Sequence, residues 1–302
     1  MTYQHEMFIA DALRGVLMQQ YHGPMQVIIA NDASPDGTHR IVENFLKKDL
    51  PANVSVEYTR HEENKGMMNN FAWALRQARG KYTAFCEGDD YWTDPFKLQR
   101  QVDFLENHVD FSLVFSNTTI YPDDIWTHED LEMHRVTEDR EYRSEEIFER
   151  WLVPFNTVLF RNDLDAKFFD LILKNKNLLF GDIVLLLHLA EKGRLYGMAS
   201  FTAVYRRHTG NVTSSTQSHN RRNKFNHLQA VIRAFGSRYK TPLLKKELGQ
   251  IARSSIFQLY QQGRFLHAAK YFFWAFRYDF KEAALMLRNI LREIKSGTTK
   301  QL

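Results

Sequence analysis

The sequence predicts an α/β fold in which a doubly wound, mostly parallel, Rossmann-like sheet is followed by a C-terminal helical region. Two observations predict it. Up to about residue 205, short apolar segments of strand length alternate with amphipathic segments of helix length, a pattern typical of strands joined by crossover helices. From Asn220 onward, apolar residues recur only at helical spacing. We therefore expect two domains, residues 1–215 and 216–302.

The strands are predicted from short apolar or alternating runs that end in turn-forming or acidic residues. They cover residues 26–30, 54–58, 82–86, 111–115 and 156–160, with one or two more within 195–205. Helices are predicted where apolar residues recur three and four positions apart. They cover residues 6–20, a segment around 41–46, and residues 67–79, 95–108, 163–175, 182–192, 221–235, 243–262, 264–277 and 280–295.

One stretch, residues 121–150, is acidic and poorly patterned. We expect it to form a surface excursion that covers the crevice at the edge of the sheet.

Charge divides the chain into two halves. Residues 1–202 carry 21 Lys and Arg against 32 Asp and Glu, whereas residues 203–302 carry 19 against 4. The basic C-terminal part predicts contact with an anionic partner such as a membrane surface or a lipid phosphate. Nucleic acid is not expected, because no nucleic-acid-binding motif accompanies the charge.

Composition indicates an ordinary globular protein, with 44% hydrophobic and 25% charged residues. The sequence contains no apolar run of membrane-spanning length and no signal-peptide layout at Met1, so we expect a cytoplasmic location, with the inner face of the membrane as a possible site of action. The single cysteine, Cys86, lies in a predicted strand and is interpreted as a small buried residue.

The most informative stretch is Lys81–Trp92, where an apolar strand ends in Glu87, Asp89 and Asp90. Three acidic groups within four positions repel one another unless a cation or hydrogen-bond donors compensate them. The cluster therefore suggests a divalent metal held by oxygen ligands, with a solvated acidic turn as the alternative.

Polar residues follow two other predicted strands. Asp32 ends the first strand and can bind ribose or base, although a turn-forming role is the alternative. Lys65 and Gly66 precede a helix, where backbone amides can approach a ligand or simply form a turn. Asp36 is interpreted as a turn residue.

Two later segments carry ionisable groups. Asp182 opens a predicted helix, where it is either an N-cap or an ionised general base. Arg206 and Arg207 can bind a diphosphate through bidentate hydrogen bonds, and the adjacent His208 can add a metal ligand. A basic surface turn is the alternative for this second segment.

The segment Lys270–Arg277 is dense in aromatic residues and flanked by cations. It is either helical core or a helix that lies in a membrane interface.

Together these pieces resemble family 2 glycosyltransferases of the GT-A fold. The resemblance spans about 210 residues. It rests on the order and spacing of Thr2–Glu6, Val27–Thr38, Asn64–Gly66, Ala78–Tyr82, Glu87–Trp92, Asp94–Leu98, Gly181–Asp182 and Tyr205–His208.

The resemblance implies a donor site for a nucleotide sugar, UDP-linked in the first instance. Thr2, Tyr3 and Asp32 would line the pocket for base and ribose, beside the Lys65–Gly66 loop. Asp89 would touch ribose or metal, and Asp90 would bind Mg²⁺ or Mn²⁺, with His208 as a further metal ligand. Arg206 and Arg207 would close over the diphosphate.

It also implies the chemistry. Asp182 matches the base that deprotonates the acceptor hydroxyl, so the sugar would transfer in one displacement with inversion. The acceptor would be a saccharide or a polyprenyl-linked lipid in cell-surface glycan synthesis, with peripheral membrane contact through the basic C-terminal helices. Glu87 replaces an Asp that is common in the family, and its role is open.

One departure concerns the start of the sheet. Family members begin with an apolar central strand just before the motif that corresponds to Thr2–Tyr3. Here it is absent or reduced to a stub, which would leave two rows of backbone groups without partners. We expect this departure to weaken nucleotide binding.

The alternative function is a non-catalytic module that binds a membrane or a partner through its basic helices. Nucleotidyl transfer is disfavoured, because no phosphate-binding loop lies near the N-terminus.

Overall fold

The computed structural model describes residues 1–121, 136–208, 221–261, 263–278, 280–281, 283–285 and 288. The chain divides into two compact units: the first contains residues 1–176 and 180–208, and the second contains residues 177–179 and the described residues that follow position 208. The domain boundary predicted between 215 and 216 lies outside the described residues.

The first unit alternates strands and helices, as predicted. Its helices are α1 (Ile9–Leu17), α2 (Thr38–Leu46), α3 (Met67–Gln77), α4 (Lys97–Asn107), α5 (Ser144–Arg150), α6 (Ala166–Lys174) and α7 (Gly181–Lys192). Its strands are β1 (Met25–Asn31), β2 (Val54–Arg60), β3 (Tyr82–Ala84), β4 (Tyr91–Trp92), β5 (Phe111–Tyr121), β6 (Arg140–Tyr142), β7 (Leu159–Arg161) and β8 (Arg194–Arg206).

The strands form two sheets. β1 and β2 pair in parallel, and the other six form a sheet of order β3-β7-β5-β8-β4 with β6 added on β8. The α/β class is confirmed, but the sheet predicted to be mostly parallel is mixed. Among the described pairs of the larger sheet, β5 and β8 are parallel and the other four pairs are antiparallel. The short strands β4, β6 and β7, of two or three residues each, make only antiparallel pairs among the described strands.

The stretch 121–150, expected to be a surface excursion over the crevice, contains regular elements in its described part. Residues 122–135 lie outside the described residues, but β6 and α5 follow them. Tyr142, Ile147 and Phe148 are buried, which anchors both elements. The sequence pattern did not predict β6 and α5, because their few apolar residues lie among five carboxylates between Glu138 and Glu146.

Two apolar clusters support the site. One joins α1, α2 and β1 through Ile9, Leu13, Ile29 and Val42, and the other surrounds Trp92 and Leu105 on β4 and α4. Cys86 is partly buried and packs against both, and desolvation raises the pKa of its thiol to about 12, which favours a packing role over a nucleophilic one.

An apolar groove lies between β1 and β3. It has a volume of about 450 Å³ and is lined by both strands, by α1 and by α3. Within the described residues β1 pairs only with β2, and β3 pairs only with β7. The chain at Thr2 contributes a single parallel bridge to Asn31, and the Gly88 amide donates to the Met1 carbonyl (2.9 Å). The two sheets are therefore joined by a stub where a full strand would fit.

The second unit contains α8 (Arg221–Phe235), α9 (Pro242–Gln261) and α10 (Phe265–Tyr278). Buried apolar residues such as Val231, Leu248 and Ala275 pack the three helices together. Among the described helices of the chain, none combines the length and apolarity that crossing a membrane requires.

Candidate active site

The polar residues predicted from the sequence meet at the carboxyl ends of β1 and β3. In α/β sheets this edge is where ligands bind, because the strand ends leave a crevice between the connecting loops. Thr2, Asp32, residues 64–66 and the acidic stretch 87–90 are in contact there through hydrogen bonds and the close approach at Gly88.

Thr2, Asp32, Lys65 and Gly66 form one hydrogen-bonded group. The Asp32 carboxylate accepts the backbone amides of Lys65 (2.7 Å) and Gly66 (3.0 Å), and its own amide donates to the Thr2 carbonyl (3.0 Å). Gly66 has a φ of 80°, a region that favours glycine and turns the chain into α3. Tyr3, 41% exposed, stands at the outer side of this group.

Gly88 allows Thr2 and His5 to approach the acidic stretch. A Cβ atom at Gly88 would lie 2.7 Å from His5 Nδ1 and 2.8 Å from Thr2 Oγ1, which is closer than side-chain carbon atoms pack. Both of those polar atoms are buried and make no hydrogen bond to the described protein. The site thus contains two buried polar atoms whose hydrogen-bonding capacity the described protein does not use.

Asp89 faces two histidines. Its Oδ2 atom lies 3.2 Å from Nε2 of His208 and 3.8 Å from Nε2 of His5. Burial opposes its charge, but the hydrogen bond from His208 and the nearby His5 outweigh it, so the pKa of Asp89 is lowered.

Asp90 points in another direction. Its side chain is 1% exposed. Oδ1 accepts the Arg206 amide (2.9 Å) and Oδ2 accepts the side-chain amide of Asn156 (2.9 Å). Burial and the charges of Asp89 and Glu87 raise its pKa well above the ordinary value. The structure brings Asp89 and His208 together, whereas Asp90 fastens the end of β8 to the acidic stretch.

The Arg206 guanidinium is also engaged internally. It pairs with Asp11 on α1, donates to the Asp89 carbonyl (3.3 Å) and lies 4.3 Å from the centre of the Tyr91 ring. Its side chain is 13% exposed. Arg207 follows, with its amide donating to the Tyr121 carbonyl (2.8 Å). The two arginines were predicted to act as a pair, but their contacts differ. The Arg206 side chain joins β8 to α1, whereas the contact given for Arg207 is made by its backbone amide.

Asp182 lies in the first turn of α7, where its Oδ1 accepts the Ile183 amide (2.7 Å). Burial raises its pKa to about 6, although hydrogen bonds from Ile183 and from the Trp151 side chain act in the opposite direction. Trp151 holds a left-handed backbone conformation, φ 53° and ψ 46°, at the end of α5. This conformation is uncommon for a large side chain. The Trp151 indole packs edge-on against Phe180, with ring centroids 5.6 Å apart.

Glu87 links the two carboxylate groups. Burial and the charges of Asp89 and Asp182 raise its pKa to about 8. Glu87 is therefore close enough to both Asp89 and Asp182 to feel their charges, and its role stays a prediction.

Sequence reasoning missed His5, Asn156, Trp151 and Asp11 as parts of the site. His5 belongs to the motif Thr2–Glu6, so its place beside Gly88 was the one detectable signal. Asn156, Trp151 and Asp11 reach the site only through the fold: Asp11 meets Arg206 across 195 positions of sequence.

The site suits a divalent cation in part. Within the described part of the chain, no group of three or more His, Cys, Asp and Glu side chains is arranged to hold a metal ion. Asp89 and His208 nevertheless present an oxygen and a nitrogen 3.2 Å apart beside further buried carboxylates. Mg²⁺ and Mn²⁺ are often held by one or two side chains while phosphate oxygens complete the coordination, and this pair fits that arrangement.

Comparison with known proteins gives a consistent set of relatives. The family model described as glycosyl transferase family 2 matches residues 1–167. The uncharacterised protein Rv1520 of Mycobacterium tuberculosis is 31% identical over 227 residues, 73% of this chain and 61% of its own length. The putative teichuronic acid biosynthesis glycosyltransferase TuaG of Bacillus subtilis is 36% identical over 104 residues, covering 34% of this chain and 39% of TuaG.

Solved structures share the fold. TarS residues 1–349 of S. aureus, in complex with UDP-GlcNAc, superposes with a TM-score of 0.65 at 16% identity, covering 99% of this chain and 91% of that chain. The mannosyltransferase PcManGT from Pyrobaculum calidifontis, in complex with GDP-Man and Mn²⁺, gives 0.54 at 15% identity, covering 97% and 78%. These similarities confirm the predicted GT-A fold.

Proposed function

This chain belongs to glycosyl transferase family 2, and on that premise we propose that it is an inverting glycosyltransferase that uses a nucleotide-diphosphate sugar, UDP-linked in the first instance. The observation that carries the proposal is the arrangement of carboxylates at one sheet edge. Asp89 is paired with His208 and has a lowered pKa, whereas Asp182 has a pKa of about 6, and the charges of both act on Glu87. Such divided environments are typical of groups with different catalytic tasks.

The donor would bind along the group formed by Thr2, Asp32, Lys65 and Gly66, with Tyr3 at its outer side. The unpartnered Oγ1 of Thr2 and Nδ1 of His5 would receive polar atoms of the nucleotide. A Mg²⁺ or Mn²⁺ ion held by Asp89 and His208 would neutralise charge on the diphosphate leaving group. Asp90 and Arg206 would act by positioning the end of β8, and Arg207 would approach the diphosphate.

Asp182 would be the general base. A carboxylate with a pKa of about 6 is largely ionised at pH 7 and more basic than an exposed aspartate, which suits proton abstraction. The acceptor oxygen would bond to the anomeric carbon while the bond from that carbon to the diphosphate oxygen breaks. The acceptor proton moves to Asp182, the nucleoside diphosphate leaves with the electron pair, and the anomeric configuration inverts.

The acceptor would be a saccharide or a lipid-linked saccharide in cell-surface glycan synthesis at the inner face of the membrane. The surface of α10 supports membrane contact. Leu266 (88% exposed) and Phe273 (63% exposed) lie two helical turns apart, beside the exposed Lys270 and Arg277. Exposed apolar residues bordered by cations are typical of helices that lie on anionic lipid surfaces. The chain spans 61% of the length of its mycobacterial relative, so this proposal concerns the part present here.

The test combines donor binding with turnover. A panel of UDP- and GDP-sugars is screened by thermal shift with and without Mn²⁺, and the best donor is then assayed for transfer or slow hydrolysis. We expect metal-dependent turnover that Asp182→Asn reduces by about 10³-fold, while donor affinity stays within about twofold. Donor-dependent stabilisation without turnover would favour the non-catalytic module, and full turnover in Asp182→Asn would refute the assigned base.

A further inference from the structure

A second cavity lies wholly within the helical unit. It has a volume of about 470 Å³ and is formed by α8, α10 and Asn177. That volume falls within the range of about 300–1,000 Å³ that is usual for small-molecule sites. None of the residues assigned to the donor or to catalysis contributes to it.

The rim of this cavity is cationic. Arg233, His267 and Lys270 line it with exposed side chains, and no Asp or Glu contributes to the described lining. Neither Arg233 nor Lys270 forms an ion pair with a described carboxylate. The carboxylate of Glu247 on α9 is already paired with Lys224 (2.7 Å). The charge at the rim therefore remains available to an anionic ligand.

The floor of the cavity is aromatic. The Trp274 ring is partly exposed and is held in place by Tyr278, stacked at 5.9 Å with an interplanar angle of 15°, and by the edge of Phe225 at 6.1 Å. An indole fixed in this way presents a flat apolar surface at little entropic cost, which suits the apolar face of a sugar ring.

Two side-chain amides complete the lining. Gln229 is 8% exposed, and its amide nitrogen donates a hydrogen bond to the Tyr278 hydroxyl. The amide oxygen of Gln229 takes no part in that bond. Asn226 is half-buried and makes no hydrogen bond to a described residue. Amides of fixed orientation beside an aromatic ring can bind the paired donors and acceptors of sugar hydroxyls.

We propose that this cavity binds an anionic saccharide, a sugar unit that carries a phosphate or a carboxylate. Trp274 stacks against the ring, Asn226 and Gln229 bind hydroxyls, and Arg233, His267 and Lys270 bind the charged group. In the context of the proposed function, on which this part of the inference rests, the ligand is a unit of a charged glycan acceptor, either soluble or lipid-linked.

The test measures binding to the whole chain carrying Asp182→Asn, without donor, so that it does not depend on turnover. Isothermal titration compares an oligoglucuronate, glucose 6-phosphate, an uncharged maltooligosaccharide of equal length and inorganic phosphate. We expect the oligoglucuronate to bind at least tenfold more tightly than the maltooligosaccharide. The difference in affinity between glucose 6-phosphate and inorganic phosphate measures the contribution of the sugar ring. We expect glucose 6-phosphate to bind more tightly.

Matched variants locate the site. The double variant Arg233→Gln, Lys270→Gln should weaken oligoglucuronate binding about tenfold. The control double variant Lys245→Gln, Lys246→Gln removes equal charge from the exposed side of α9, and it should change that affinity less than twofold. Trp274→Phe preserves an aromatic ring and should cause a smaller loss than Trp274→Leu.

Three outcomes would overturn the inference: equal binding of charged and uncharged oligosaccharides, equal losses in the two double variants, or tighter binding of a single-stranded oligonucleotide of equal charge. Comparing soluble oligoglucuronate with a glucuronosyl lipid in phosphatidylcholine vesicles distinguishes the two sources of ligand, and tighter binding to the vesicles identifies the lipid-linked one. If no sugar transfer is detected but these binding results are obtained, the proposed function is refuted and the anionic saccharide site is supported.

Discussion

The acidic edge and the apolar groove of the first unit each include part of residues 82–92, yet they are built in opposite ways. At the acidic edge, Asp32, Asp89 and Asp90 each have defined hydrogen-bond partners. Along the groove, β1 and β3 face each other across about 450 Å³ without a strand between them in the described structure. Site geometry and sheet stability therefore depend on different residues, and substitutions can perturb them separately.

The largest expected effect separates Asp89 from Asp90 at the acidic edge. Because Asp89 faces His208, Asp89→Asn should reduce metal-stimulated turnover about 10²-fold with little change in melting temperature. Asp90→Asn should mainly lower the melting temperature, because Asn156 and the Arg206 amide would face a side chain with fewer acceptors. Metal titrations of activity with parallel thermal melts measure both. A stable Asp90→Asn protein that lacks only metal response would restore Asp90 as the metal ligand.

A second prediction concerns the groove. Fusing an apolar strand-forming segment directly before Met1 should raise the melting temperature by about 10 °C, since it would satisfy backbone groups of β1 and β3 and bury apolar surface. Donor affinity should also rise, because Thr2 would be held at both ends.

The control for the groove is a fused segment of the same length in which alternate residues are Lys. It should leave the melting temperature nearly unchanged. If the apolar and charged fusions stabilise the protein equally, or neither does, the groove does not accept a strand.

A smaller effect is expected from Trp151. If Asp182 is the base, turnover should rise with pH around its pKa of about 6, because only the carboxylate accepts a proton. Trp151→Phe removes a hydrogen bond that lowers this pKa, so the rise should move to higher pH. The pH profile of kcat/KM measures the shift, and an unchanged profile with lower kcat would indicate that Trp151 acts only through packing.

The last prediction concerns stability alone, at Lys97 on α4. This fully buried lysine donates to Gln101 (2.8 Å) and lies 4.4 Å from the centre of the Trp92 ring, and burial lowers its pKa from 10.5 to about 7. Between those values the unfolded chain binds a proton that the folded chain lacks, so Lys97 makes stability rise with pH. Lys97→Met should remove that rise in urea unfolding from pH 7 to 10, and an unchanged slope would mean that Lys97 stays charged.

Much of the first unit follows from local pattern. The helical spacing of Phe71, Ala74 and Leu75 and the turn at Gly66 predict α3 within two residues of its observed ends. β4, β6 and α5 were not predicted, because two- and three-residue strands and a seven-residue helix are too short to display a period. Residues 111–115 were predicted as a strand, but β5 extends to Tyr121 because β8 continues beside it.

The sequence by itself determined the α/β class and the strand-end position of the acidic residues, since each depends on residues that are neighbours along the chain. Only the tertiary structure decided which carboxylates face one another. Asp89 and Asp90 are adjacent, yet one meets His208 and the other meets Asn156 and the Arg206 amide. The physical reason is that side-chain direction in an irregular loop is fixed by distant partners, and a hydrogen bond forms only where the fold brings its donor and acceptor together.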